Sequence, residues 1–257
     1  MRIEKWRSCI LIGLLLLMRM VAAGQSGAKT EVSEAVSLNN QGVSQINAGR
    51  YAAALELLEQ AIRLSPDFAR AYYNLGTTYY HLAQYEKAVT TLEKAIELDP
   101  TDSAAYNQLG VAYADSAQFD KAEQAFKQAL SIKADDPVAS YNLGANYIRL
   151  KNFKAAIKPL ERAAALQPQN VETHLNLAYA YGQKRRYREA IAETQKAVSL
   201  KPDDDEAQLF LGNLYLLARD RPAAWGLYEV LRLLNPPLAQ KLLQAINSGR
   251  LVIVTQR

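Results

Sequence analysis

The sequence predicts an all-α protein: an array of about six helix-turn-helix repeats followed by a capping helix. Two observations predict it. The 257 residues are rich in Ala, Leu, Glu, Gln, Lys and Tyr, while the 12 Gly and 9 Pro are few and regularly placed, as suits a mostly helical chain. Five of the prolines and five of the glycines fall on one period. Pro66, Pro100, Pro168, Pro202 and Pro236 lie on a lattice of 34 residues, with Ala134 at its one vacant point. Gly42, Gly76, Gly110, Gly144, Ala178 and Gly212 form a second column, and Ala54, Ala88, Ala122, Ala156, Ala190 and Ala224 a third. A fourth starts at Gln45 and continues as Tyr79, Tyr113, Tyr147, Tyr181 and Tyr215.

Taken in chain order, the first element is not part of the array. Arg2, Lys5 and Arg7 precede the apolar run Cys9 to Met18, and the small residues Val21, Ala22 and Ala23 follow. This is the order of a secretory signal peptide, residues 1–23, cleaved after Ala23. The alternative is an uncleaved signal anchor. The run, however, is about half the ~20 residues that span a bilayer, and Arg19 interrupts it. A lipoprotein would need a cysteine after the run, and the only one, Cys9, stands at its start. Cleavage lowers the formal charge from +4 to +1, leaving 26 basic and 25 acidic groups. The mature chain therefore has no global charge suited to nucleic acid or anionic membranes. With Cys9 removed it also has no disulfide to hold it. Residues 24–34 read as a small, polar, mobile leader.

The array itself covers 35–238, in units 35–68, 69–102, 103–136, 137–170, 171–204 and 205–238. A small residue in each of two helices lets their backbones approach closely. Large residues at helical spacing, such as Leu75 with Tyr79 and Leu109 with Tyr113, fill the space between. Proline ends the second helix or opens the turn after it, since it lacks an amide donor. Each unit is thus helix, turn, helix, turn.

These residues resemble the tetratricopeptide repeat family; in one unit the match reads Tyr72, Leu75, Gly76, Tyr79, Tyr85, Ala88, Leu92, Ala95 and Pro100. The resemblance implies a right-handed superhelical solenoid whose first helices line a concave groove. The ends depart from the pattern. Gln45 replaces a Tyr, and Arg221, Pro222, Trp225 and Leu231 stand at aromatic, variable and Ala positions, as suits terminal repeats. Leu238, Leu242, Leu243 and Ile246 have the spacing of a capping helix, which Ser248 and Gly249 should end. Residues 239–257 thus hold the rest of that helix and a tail. The apolar tail Leu251 to Val254 docks loosely, adds to a partner's sheet or stays flexible.

No catalytic constellation stands out. His81 and His174 lie in different units without a second ligand at metal-binding spacing. Neither a phosphate loop nor a nucleophile elbow occurs. Asp135 with Asp136, and the run Asp203 to Glu206, sit at turns where carboxylates cap helices. Lys184, Arg185, Arg186 and Arg188 read as a solvated turn. No enzyme activity, metal or cofactor is expected.

What the repeat leaves unexplained points to the binding face. Of 15 tyrosines, four fall outside the large core columns: Tyr73, Tyr80, Tyr141 and Tyr179. All four lie in first-helix columns that line the groove in the tetratricopeptide family, together with His81, Asn107, Arg149 and Leu175. Such a face suits an extended or helical peptide, since tyrosine offers rigid contact area with a hydroxyl. These rings could instead pack against adjacent helices. A neighbouring column reads Asn40, Asn74, Gln108, Asn142 and Asn176. In some family members asparagines here form a ladder that holds a peptide backbone; local hydrogen bonding is the alternative. A carboxylate clamp for chaperone tails does not fit Tyr73, Thr77, Tyr141 and Ala145.

The expected function is a non-catalytic scaffold or adaptor, secreted across the inner membrane into a bacterial periplasm or cell envelope. It should bind proteins or peptides, with no nucleic acid and no stable membrane insertion once the signal is cleaved. The alternatives are an accessory subunit of an envelope transferase or peptidase, and a structural repeat that self-associates end to end.

Overall fold

The computed structural model describes residues 30–249 and residue 251. The expected signal peptide 1–23, residues 24–29 of the leader and tail residues 252–257 lie outside the described residues. Among those described, all regular structure is helical, in thirteen helices without a strand. The chain divides into two compact units, one up to Ala112 and one from Tyr113.

The first unit holds α1 (30–47), α2 (Tyr51–Leu64), α3 (Ala69–His81), α4 (Tyr85–Leu98) and most of α5 (Ser103–Asp115), within which the boundary falls. Residues 30–34, expected in the leader, belong to α1. Their side chains are exposed until Ala35, which is buried with Ala61 and Ala71. The second unit holds α6 (Phe119–Ile132), α7 (Pro137–Arg149), α8 (Phe153–Leu166), α9 (Val171–Gln183), α10 (Tyr187–Leu200), α11 (Asp205–Leu217), α12 (Arg221–Leu234) and α13 (Pro236–Ser248).

Within each unit a helix packs on the next in sequence: α2 on α3 and α3 on α4 in the first, and every neighbouring pair from α6 to α13 in the second. In the second, α7 also meets α9 and α11 meets α13, so alternate helices share a layer. First helices begin at Ala69, Ser103, Pro137, Val171 and Asp205, in steps of 34.

The second helices α2, α4 and α8 each bury a stripe at i, i+4, i+7: Ala54, Leu58 and Ala61 in α2, Ala88, Leu92 and Ala95 in α4, Ala156, Leu160 and Ala163 in α8. Two small residues flank one large one, so the large one can reach the facing helix. It meets the glycine column. A Cβ placed on Gly76 would lie 2.6 Å from Leu92 Cγ, and one on Gly144 2.5 Å from Leu160 Cγ. Each leucine is fully buried, a contribution of about 1.5–3 kcal/mol apiece. Where the column carries Ala178, the facing position of the period carries Thr194 instead of leucine, and both are fully buried.

The turns repeat as strictly as the core. Residue 83 is left-handed (φ 56), and so are residues 117, 151, 185 and 219, with Gly49 heading the series. Five of the six are not glycine: Ala83, Ala117, Lys151, Arg185 and Arg219. The Ala83 amide donates to Tyr80 O and the Gln84 amide to Tyr79 O, each at 2.9 Å. This pair closes the end of a helix in the Schellman arrangement. The same pair recurs at Lys151 with Asn152 and at Arg185 with Arg186. At the other turn the expected carboxylate caps are present: Asp136 Oδ1 accepts from the amides of Val138 (2.9 Å) and Ala139 (3.0 Å), and Asp204 Oδ1 from Ala207 (3.0 Å).

The last turn differs. Pro236, the last proline of the lattice, was expected before the capping helix but lies in its first turn. Asn235 ends α12 and caps α13, its Oδ1 accepting from Leu238 N at 3.2 Å. Proline fits there because the first amides of a helix need no intrahelical partner. Arg221 occupies an aromatic position of the pattern and donates from Nη2 to Ile246 O at 2.8 Å, pinning the far end of α13.

Candidate functional site

The face made by the first helices is built separately in the two units. In the first, Tyr80 and His81 end α3, and Tyr51 and Tyr85 open α2 and α4. The His81 imidazole stacks on Tyr51, with centroids 4.8 Å apart and planes 11° apart. Tyr80 meets His81 edge-on at 5.6 Å and Tyr85 at 5.8 Å. Offset and edge-on rings of this kind are worth about 0.5–1.5 kcal/mol beyond area burial. Tyr73 is half-buried two helical turns earlier, with the Arg70 guanidinium 5.6 Å from its ring centre. Burial, and then the Asp102 charge, push its hydroxyl above the usual tyrosine range. Asn107 and Gln108 are half-buried on α5.

Members of the asparagine column are tied into the array. Asn74 is buried and donates through Nδ2 to Oδ1 of Asn39, also buried, at 2.7 Å. Asn39 in turn donates to Asn40 at 3.4 Å. In the second unit Asn176 Nδ2 donates to the Tyr141 hydroxyl at 3.1 Å. Both bonds join a residue to one 35 positions earlier, so they link successive first helices by the same geometry. Asn142 is half-buried on α7. Burial, then the Glu172 charge, raise the Tyr141 hydroxyl, against the pull of Asn176.

Arg149 and Tyr179 are likewise joined to neighbouring elements. Arg149 reaches back to Asp115 Oδ1 (3.0 Å) and Ala114 O (3.1 Å) and lies 5.9 Å from the Phe119 ring centre. It stands on Phe119 as His81 stands on Tyr51, since each pair is separated by 30 residues. Tyr179 meets the Phe153 ring edge-on at 5.7 Å. None of these contacts removes the groups from solvent: Arg149 is exposed, and Leu175 and Tyr179 are half-buried.

Leu175 and Tyr179 line a cleft of about 360 Å³ with Gly182, Phe210, Leu214 and Leu217. This is where the sequence reading stopped one repeat short. Continued by one period, the groove columns reach Leu209, Asn213, Leu216 and Leu217, and the asparagine column ends in Phe210. In α11 an apolar ring thus replaces the amide. Gly182 opens the floor, because its column carries a side chain in each earlier repeat: Ile46, Tyr80, Ala114 and Ile148. Leu251, beyond α13, lines the same cleft.

The histidines have structural settings. His174 is buried with Nδ1 2.6 Å from Glu193 Oε2 and Nε2 2.9 Å from Pro168 O, and it ties α9 to α10. Among the described residues no cluster of three His, Cys, Asp or Glu could hold a metal. No helix among them is long and apolar enough to cross a membrane.

Several solved structures share this fold. YrrB, described as a TPR protein with an unusual peptide-binding site, aligns at 23% identity and TM-score 0.63 over 71% of this chain and 95% of its own. Pseudomonas aeruginosa pilF aligns at 19% and 0.70, over 84% and 99%. MamA from Desulfovibrio magneticus RS-1 aligns at 22% and 0.60, over 67% and 97%. At these identities the likeness is one of fold. No curated protein sequence matches. The profile of the family described as Cilia and flagella-associated protein 70 C-terminal domain matches residues 28–210, a span that holds the helices from α1 to α10 with their turns and core stripes, and the chain belongs to that tetratricopeptide-type family.

Proposed function

We propose that the protein is a non-catalytic scaffold that holds peptide segments of protein partners on its first-helix face. One observation carries this reading. The first-helix residues that the repeat does not need for its core (Tyr73, Tyr141, Leu175 and Tyr179) stay half-buried rather than sealed, and two of them line an apolar cleft. Half-exposed rings with a hydroxyl offer contact area at small entropic cost. YrrB is described as binding peptide, and the shared fold makes the same use of this face reasonable. The settings of His81 and His174, stacked in one case and held between two acceptors in the other, support a role without chemistry. The basic, apolar, small-residue order of residues 1–23 supports export to a bacterial cell envelope.

The test is affinity capture from the native envelope with wild-type protein and with Tyr73, Tyr141 and Tyr179 replaced by Ala. The triple variant should remain helical and lose partners that the wild type retains; equal capture by both overturns the reading. Mass spectrometry of the envelope-derived protein should show an N-terminus at Gly24.

Self-association is a second reading with its own observation. On α12, Leu233 and Leu234 are 79% and 73% exposed, beside exposed Val230, and such a patch suits a protein contact. Sedimentation over a hundredfold concentration range should then show a dimer that Leu233→Glu disperses.

A further inference from the structure

We propose that the apolar cleft between α9 and α11 is occupied by this chain's own C-terminal segment, Leu251 to Val254. The protein would thus carry a built-in occupant for one end of its binding face. The inference rests on the reading of that face as a peptide-binding surface, because the cleft is part of it.

Four features converge. First, Gly249 ends α13 in the left-handed conformation (φ 66), its amide donating to Ala245 O at 2.9 Å. Glycine adopts this conformation without steric cost, and it stops the helix and redirects the chain. Second, Leu251, two residues later, lines the cleft beside Leu175, Tyr179 and Phe210, with about half its surface covered at 46% exposure. Third, Val252, Ile253 and Val254 follow directly. They are apolar and β-branched, suited to an extended segment and unsuited to solvent. Fourth, the cleft is shaped by departures from the repeat. Gly182 leaves open the space that Tyr80 and Ile148 fill in their own units, and Phe210 replaces the amide of its column. At about 360 Å³ it falls within the range of ligand pockets, about 300–1,000 Å³.

The charges agree. Glu206 lines the cleft, and Arg250 and Arg257 flank the apolar run. Intramolecular docking needs little intrinsic affinity, because a short tether supplies an effective concentration of the order of millimolar. An external peptide must displace the tail to use this cleft.

The test uses full-length protein and a fluorescein-labelled peptide of residues 248–257, read by anisotropy. Wild type, whose cleft is taken, should bind the peptide weakly. The Leu251→Asp/Ile253→Asp variant should bind it at least about tenfold more tightly, as the tethered competitor is removed. Adding Gly182→Ile, the residue that Ile148 is in its column, should abolish that gain. Should that variant lose helix content, Leu217→Glu on the exposed rim replaces it. Equal affinity of wild type and the tail variant, no binding by either, or binding indifferent to the filled cleft overturns the proposal. Failure here leaves the capture result with external partners untouched, and loss of that capture leaves the tail experiment untouched, so the two fail separately.

Discussion

The faces of the two units use the same columns to different ends. In the first, Tyr80 fills its place and packs with His81, Tyr51 and Tyr85 in a cluster of rings. In the second, Gly182 leaves the corresponding place open over Leu214, whose Cδ2 is 3.5 Å from where a Cβ would stand. The position of His81 becomes Arg149, paired with Asp115. What the columns hold constant is the contact between successive repeats; what they leave free is whether the surface is filled or open. The proposed recognition therefore falls on positions the period does not constrain, while stability comes from those it does.

The sharpest way to break this comparison is at the glycines. Gly144→Val should destabilise the second unit by about 3 kcal/mol, since Leu160 Cγ stands 2.5 Å from the new Cβ. Gly182→Ala meets only an ordinary contact and should stabilise by up to about 1 kcal/mol through helix propensity. Urea unfolding distinguishes the two, and equal effects would show that the floor of the cleft is as tightly packed as the core.

The asparagine ties come next. Asn74→Ala leaves the buried Asn39 oxygen without its donor and should cost about 1–3 kcal/mol. Asn176→Ala faces a half-buried hydroxyl that water can reach and should cost less than about 1 kcal/mol. Hydrogen exchange of the amides of α3 and α9 would report each loss locally.

A smaller effect follows from the cap of α7. Burial opposes the ionised form of Asp136, but the amide of Ala139 and the Lys133 ammonium hold its carboxyl below the usual range. A depressed folded pKa gives stability that is present above the unfolded value, about 3.9, and lost as pH falls through the folded one. Asp136→Ala should therefore cost about 1 kcal/mol near neutral pH, with the gap between variant and wild type closing in acid. Phe68, at the same place before α3, makes no side-chain cap bond. Phe68→Ala should show no such pH dependence of its cost.

The smallest effects lie in the left-handed turns. Lys151→Gly and Arg219→Gly should each stabilise by about 0.5–1 kcal/mol, relieving the cost of that conformation for side chains with a Cβ. Gly49→Ala in the first unit should do the reverse. Thermal unfolding reads the sign, and a loss at Lys151 would mean that its side chain supports the turn.

These turns also show why part of the fold was legible and part was not. The Gly76, Ala88 and Tyr79 columns announce themselves because nearly every repeat carries the same residue type at each place. The left-handed position carries Ala83, Lys151 or Arg185 and gives no compositional signal, since two backbone hydrogen bonds impose it. Pro159 lies inside α8, where propensity alone would break a helix; the Ala156, Leu160, Ala163 stripe overrides it. For the candidate face, sequence names the columns but cannot say which way an amide turns. The bond from Asn176 to Tyr141 is a matter of side-chain geometry. Phe210 was within reach, by following its column one period further.

The single residue between α12 and α13 has a consequence for how such a chain can grow. The earlier joins are congruent, so a 34-residue block copied at any of them lands in phase with its neighbours. The period would start the next first helix at residue 239, but α13 begins at Pro236, three residues early. Its buried face still keeps the register, since Leu242, Ala245 and Ile246 stand 34 residues after the buried Gln208, Leu211 and Gly212. What changes is the turn: Asn235 alone joins α12 to α13, so a block copied behind α13 would follow a one-residue join that no upstream repeat uses.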